Sequence, residues 1–183
     1  MYGLINSALR SMITENHGID VWEQIAELAN VTEEHFMVMQ PYPDDITYSI
    51  VHATGKILAR SESELMQIFG QYWIGYTHSA GYKEIMDMCG DTLPDFLSSL
   101  DDLHTRLGVQ FPKFHPPSFE CNEISDQTLE LHYHSTRQGL APMVIGLVQG
   151  LGERFEASVE ISQTTDRNQG DEHDTFLIHY HSD

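Results

Sequence analysis

Three side chains at two-residue intervals, Tyr133, Ser135 and Arg137, are the best placed in this sequence to do chemistry. They follow Leu129-Glu130-Leu131-His132, where apolar and polar residues alternate as in a half-buried strand. Residues two apart in a strand share a face. The spacing predicts two hydroxyls and a guanidinium in a row about 13 Å long, at ~3.3 Å per residue. All three donate hydrogen bonds, and one is charged. Such a row suits an anion with separated oxygens, a phosphate or a pair of carboxylates. The plainer reading is an edge strand with a polar outer face.

A second candidate is His104. Asp91-Thr92-Leu93-Pro94 is a good helix start, with proline in the first turn. Leu93, Phe96, Leu97, Leu100, Leu103 and Leu107 then form an apolar stripe, and Gly108 is read as its end. His104 lies on that stripe and is predicted to point into the core. It is either a satisfied core residue or an axial metal ligand. An apolar pocket with one inward imidazole, beside a strand able to pair two carboxylates, is what a haem requires.

The elements that would position these residues fall into two parts. Helical spacing places a helix around Ile5 to Ile13, stopped at His17-Gly18, and another around Val21 to Leu28. A short third one is predicted from Thr32 to Met39. After Pro41 and Pro43, Asp44-Asp45 begin a helix running through Ile57. Ser61-Glu62-Ser63-Glu64 is a capping box, and its helix carries Tyr72, Trp73 and Tyr76 before a break at Gly81. Beyond Phe111-Pro112 and His115-Pro116-Pro117 the texture changes. Phe119 to Ile124 and Thr128 to Ser135 read as a hairpin, Leu140 to Phe155 as a helix with Gly146 and Gly150 permitting close approach, and Ala157 to Gln163 and Thr175 to His181 as two more strands. The fold class expected is α+β. A helical portion, residues 1–60, packs over residues 61–183, a four-stranded antiparallel sheet with helices, within one domain.

Composition narrows the partners. The chain has 183 residues, 28 of them acidic and 9 basic, for a formal charge of -19. Such a surface repels nucleic-acid phosphates and anionic membranes. No apolar run has transmembrane length. The start, Met1-Tyr2-Gly3, lacks the basic segment of a signal peptide, and two cysteines fit no disulfide framework; the expectation is a reduced, cytoplasmic protein. No Gly-rich phosphate loop, Gly-x-Ser-x-Gly elbow or His-Glu-x-x-His motif is present.

These motifs together resemble the haem nitric oxide/oxygen-binding (H-NOX) domain, also the sensor module of soluble guanylate cyclase. The resemblance covers essentially the whole chain, and its wording, including Tyr72-Trp73, is most similar to cyanobacterial members. Tyr133-x-Ser135-x-Arg137 matches the propionate-binding motif, His104 the proximal ligand to iron, and Pro117 the proline that distorts the porphyrin. Asp45 matches the acid that holds the arginine, with Asp44 beside it. Cys89 and Cys121 do not reproduce the zinc cluster of some members. The resemblance implies haem b, buried between the two parts.

It also implies a distal pocket of Ile5, Leu9, Trp73, Met143 and Leu147. Met143 stands where oxygen-binding relatives carry a tyrosine, so nitric oxide first and carbon monoxide second are the expected ligands. The Trp73 indole is the one donor there, and its bulk restricts access. A haem peroxidase or oxygenase would need a polar distal acid–base or a thiolate ligand; haem storage is a further alternative. The implied function is gas sensing, signalled to a separate histidine kinase or cyclic-nucleotide enzyme through release of His104. Last, His132-Tyr133-His134-Ser135 and His179-Tyr180-His181-Ser182 repeat a string. If their strands pair, four imidazoles would cluster around a divalent metal; the alternative is four separate surface histidines.

Overall fold

The computed structural model describes residues 1–32, 36–110, 113 and 115–182. The chain divides into two compact units, Met1–Phe69 and Gly70–Asp183, with the boundary inside one helix.

The first unit is helical: α1 (Gly3–His17), α2 (Ile19–Leu28), α3 (Asp44–Leu58) and the opening turns of α4 (Glu62–Thr77). Ala8, Leu9, Met12, Ile13, Trp22, Ile25, Ile50 and Val51 are buried within it. The capping box is realised, since Ser61 N donates to Glu64 Oε2 (2.9 Å) and Glu64 N to Ser61 Oγ (3.2 Å). The helix expected from Thr32 to Met39 is corrected. Residues 33–35 lie outside the described set, and the described remainder is not helical. Its carbonyls are turned toward α1, whose first N–H groups have no partner within their own helix. Gly3 N donates to Gln40 O (2.8 Å), Leu4 N to Val38 O (3.2 Å) and the Ser7 hydroxyl to Phe36 O (3.1 Å). A helix through this segment would spend those carbonyls on itself.

In the second unit α4 passes through a π-helical turn, His78–Tyr82, into α5 (Lys83–Asp87), with Gly81 at φ 96°. The helix expected from Asp91 to Leu107 is two, α6 (Leu93–Ser98) and α7 (Leu100–Gln110). Thr92 caps the first, its side chain accepting from Asp95 N. The chain pauses at Ser99, and α7 runs through Gly108 rather than ending there. Phe111 and Pro112 lie outside the described residues.

The sheet contains β1 (Ser118–Ser125), β2 (Thr128–His134), β3 (Ala157–Thr165) and β4 (Asp174–Ser182), all antiparallel in the order β1-β2-β4-β3. Between β2 and β3 lies α8 (Ala141–Arg154). Phe96, Leu97, Leu129, Leu131, Tyr133, Val148, Phe176 and Ile178 belong to one buried cluster. Helices α4 and α8 meet backbone to backbone. A Cβ on Gly70 would strike Met143 O and come within 2.8 Å of Leu147 N, and one on Gly150 within 2.9 Å of Gln71 O. The fold is thus the α+β class expected, with the antiparallel sheet carried by the C-terminal unit.

Strand β2 stops at His134, short of Ser135 and Arg137. This corrects the reading of one continuous row of donors. The cause lies in the neighbours. His134 pairs with Ser118, the first residue of β1, and the residues before it are Pro116 and Pro117, which have no N–H to continue the ladder. On the other side β4 begins at Asp174, opposite Tyr133.

Candidate functional site

His104 is half-buried on α7. Its Nδ1 donates to the carbonyl of Pro117 at 3.1 Å. A carbonyl only accepts, so this bond places the proton on Nδ1 and, in the neutral ring, the lone pair on Nε2. Burial also pushes the imidazole below its ordinary value, outweighing the Pro117 bond and the nearby Asp101 carboxylate, and so favours the neutral ring. An imidazole held this way, with one nitrogen tied to a carbonyl, is the usual arrangement of a metal-binding histidine. The ring lies 5.7 Å from that of Phe119, which lies 5.2 Å from that of Tyr133. Helix α7 is joined to β1 a second time, because Phe119 N donates to Asp101 Oδ1 at 3.1 Å.

Tyr133 is buried, and Ser135 and Arg137 lie in the bend beyond β2. Arg137 N donates to Ser135 Oγ (3.1 Å), and Arg137 Nη1 to the carbonyl of His115 (2.9 Å). The segment His115–Pro117 therefore holds both halves of the site, accepting Arg137 through one carbonyl and His104 through another two residues on. Sequence reasoning placed Pro117 by family match and missed this bridging use of the loop, because backbone carbonyls leave no mark on residue type. It also missed Asp101. An Asp three residues before the histidine, in the first turn of its helix, was the available signal.

Among the distal residues of this unit, Trp73 and Leu147 are half-buried against the core cluster, and Met143 is half-buried on α8. The Trp73 and Tyr76 rings stack at 6.3 Å. Ile5 and Leu9 lie on α1 of the first unit, Leu9 fully buried. Asp44 accepts from the amino group of Met1, while Asp45 is exposed in the first turn of α3.

The donor set fits a haem. One neutral imidazole of defined tautomer sits among apolar and aromatic side chains, with Ser135 and Arg137 joined to it through one short loop. A sequence profile described as Haem-NO-binding matches residues 2–163. The chain belongs to the haem-NO-binding family. It is 31% identical to soluble guanylate cyclase gcy-35 of Caenorhabditis elegans over 98% of this chain and 26% of that protein. Soluble guanylate cyclase 89Da of Drosophila melanogaster matches at 25% over 85% of this chain and 23% of its own length. The chain thus spans about a quarter of these relatives. The matched span is the family's haem-NO-binding domain, a sensor rather than a catalytic domain. In fold it is similar to an Fe(II) H-NOX variant from S. oneidensis, with a TM-score of 0.93 at 22% identity over 100% of this chain and 97% of that one. An unliganded Fe(II) H-NOX variant from K. algicida gives 0.85 at 17%, covering 100% and 98%.

The four imidazoles of the repeated histidine string do not cluster together. His132 pairs with Thr175, whereas His179 stands opposite Thr128 and Glu160, four residues away along β2. That separates the pairs by about 13 Å at ~3.3 Å per residue. His132 instead meets His173, Nδ1 to Nε2 at 2.9 Å. Among the described residues no group of three or more His, Cys, Asp or Glu is arranged to hold a metal ion. No helix among them is long and apolar enough to cross a membrane.

Proposed function

We propose that this domain binds haem b through His104 and senses nitric oxide, with carbon monoxide as a second ligand. The observation that carries the reading is the hydrogen bond from His104 Nδ1 to Pro117 O, which presents the Nε2 lone pair as a ligand. When bound, the haem would supply an iron able to take a diatomic gas, and His104 would be the residue that holds that iron.

The residues divide the remaining work. Tyr133, Ser135 and Arg137 bind the two propionates, the charged Arg137 contact contributing roughly 1.5–3 kcal/mol. Pro117 orients His104 through its carbonyl, and its ring would press on the porphyrin of a bound haem. Trp73, Met143 and Leu147 line the gas side. Met143 offers only a thioether, so oxygen, which gains most from a donor, is disfavoured.

Release of His104 is the signal. Helix α7 would then keep its Asp101–Phe119 and His104–Pro117 bonds and lose its tie to the iron, which would let it shift on the sheet. A separate partner, a histidine kinase or a cyclic-nucleotide enzyme, reads that shift by binding the two states with different affinity. Resonance Raman spectroscopy of the iron–histidine stretch tests the step. The band should be present in the ferrous protein, be lost with nitric oxide, and His104 should stay attached with carbon monoxide. Retention of His104 at every nitric oxide concentration would overturn the release mechanism.

A further inference from the structure

The bend that carries Ser135 and Arg137 is held from behind by a residue with no assigned role. Arg167 Nη1 donates to the carbonyl of Ser135 and, at 3.4 Å, to that of Arg137. Arg167 stands in a short 3-10 turn, Arg167–Gln169, within the β3–β4 connection. That turn is fixed at several points. Asp166 caps it, accepting from Asn168 N at 2.8 Å. Asp171 Oδ2 accepts from Asp166 N at 2.7 Å. Asp174, buried and directly opposite Tyr133, accepts from Arg167 N at 3.0 Å and from Gln163 Nε2 at 2.9 Å. The connection is thus braced on the sheet next to Tyr133, and its one guanidinium is aimed at the bend two residues further on.

We infer that Arg167 is a positioning residue for the propionate-binding bend. The inference rests on the haem reading above. Beyond His134 the bend has no ladder partner on either side, since Pro116 and Pro117 flank it on one edge and β4 begins opposite Tyr133 on the other. Its conformation must come from contacts other than the sheet. Both bonds come from one terminal nitrogen, Nη1, at the end of a side chain one bond longer than that of lysine, so an ammonium at this position would reach the two carbonyls less well. By engaging the carbonyls of Ser135 and Arg137, Arg167 fixes the backbone that carries the Ser135 hydroxyl and the Arg137 side chain. It also adds a second positive charge beside the anion site in a chain with 28 acidic and 9 basic residues.

The test is a double-mutant cycle read as haem dissociation into an excess of a haem-scavenging globin. Arg167→Ala should lose haem about tenfold faster than the native protein, and Arg167→Lys should recover only part of the loss. Arg137→Ala should also lose haem faster, and Arg167→Ala added to it should cost clearly less than it does alone, because part of its effect is exerted through Arg137. The haem-free forms should give superimposable circular dichroism spectra. Native dissociation rates in Arg167→Ala, full recovery in Arg167→Lys, or strictly additive effects with Arg137→Ala would each overturn the inference. Failure of the native protein to take up haem would instead refute the functional reading on which it rests.

Discussion

His104 and Pro117 are joined by a hydrogen bond from the ring to a backbone carbonyl, across 13 residues of sequence. Through it α7 and the loop before β1 determine together which ring nitrogen carries the proton and which keeps the lone pair. His104→Gly should hold haem poorly, and free imidazole should restore both retention and the ferrous spectrum. Unchanged retention in that variant without imidazole would refute the ligand assignment.

Arg137→Ala removes the charged donor of the bend. At roughly 1.5–3 kcal/mol for such a contact, haem affinity should fall about 10- to 100-fold. Titration of the haem-free protein with haem measures it directly, and an affinity within twofold of native would exclude a propionate contact.

Gly70 lets α4 lie against the backbone of α8 at Met143 and Leu147. Gly70→Ala should force the helices apart, costing about 1–3 kcal/mol, and for a chain of this size the thermal midpoint should fall by ~2–4 °C for each kcal/mol. The displacement also moves Met143 and Leu147, so carbon monoxide binding rates should change in the same variant. A native midpoint would mean that the helices do not pack this closely.

Much of this arrangement is legible in the chain. The existence and approximate extents of α1, α8 and all four strands follow from periodicity and turn residues, and the Ser61–Glu64 capping box forms as its spacing requires. His104, predicted from its place on a leucine stripe to point inward, is half-buried on α7. Where expectation and structure part, the deciding partners are distant backbone groups. Residues 36–39 look helical by composition, but α1 takes their carbonyls. Ser135 and Arg137 continue the alternation of a strand, but the prolines at 116 and 117 leave them no ladder. Likewise, His132 shares a string with His179, yet the register of β2 and β4 sends them apart and brings His173 in. None of these partners is visible in local pattern.

The gas side yields a further expectation. With Met143 in place, the ferrous protein should form no lasting oxygen complex in air. A stable oxygen spectrum would contradict this, and Trp73→Phe would then show whether the indole is the donor. Met143→Tyr supplies a hydroxyl and should raise oxygen affinity.

Burial pushes the Cys121 thiol up to about 11, and Cys89 is raised for the same reason. Both should resist alkylation at pH 8 in the folded protein and react readily in urea. Because the folded value lies above the ordinary 9.0, the associated stability is fully present below pH 9 and is lost as pH rises through about 11. Equal alkylation rates in folded and unfolded protein would contradict this burial.

The central claim is that His104 carries a gas-binding haem. Its most direct test is the absorption spectrum of the haem-loaded ferrous protein under argon, then with nitric oxide, then separately with carbon monoxide. The expected result is a five-coordinate spectrum under argon, distinct new spectra with each gas, and loss of the argon spectrum in His104→Gly. No haem uptake, or a ferrous spectrum identical with and without both gases, would contradict it.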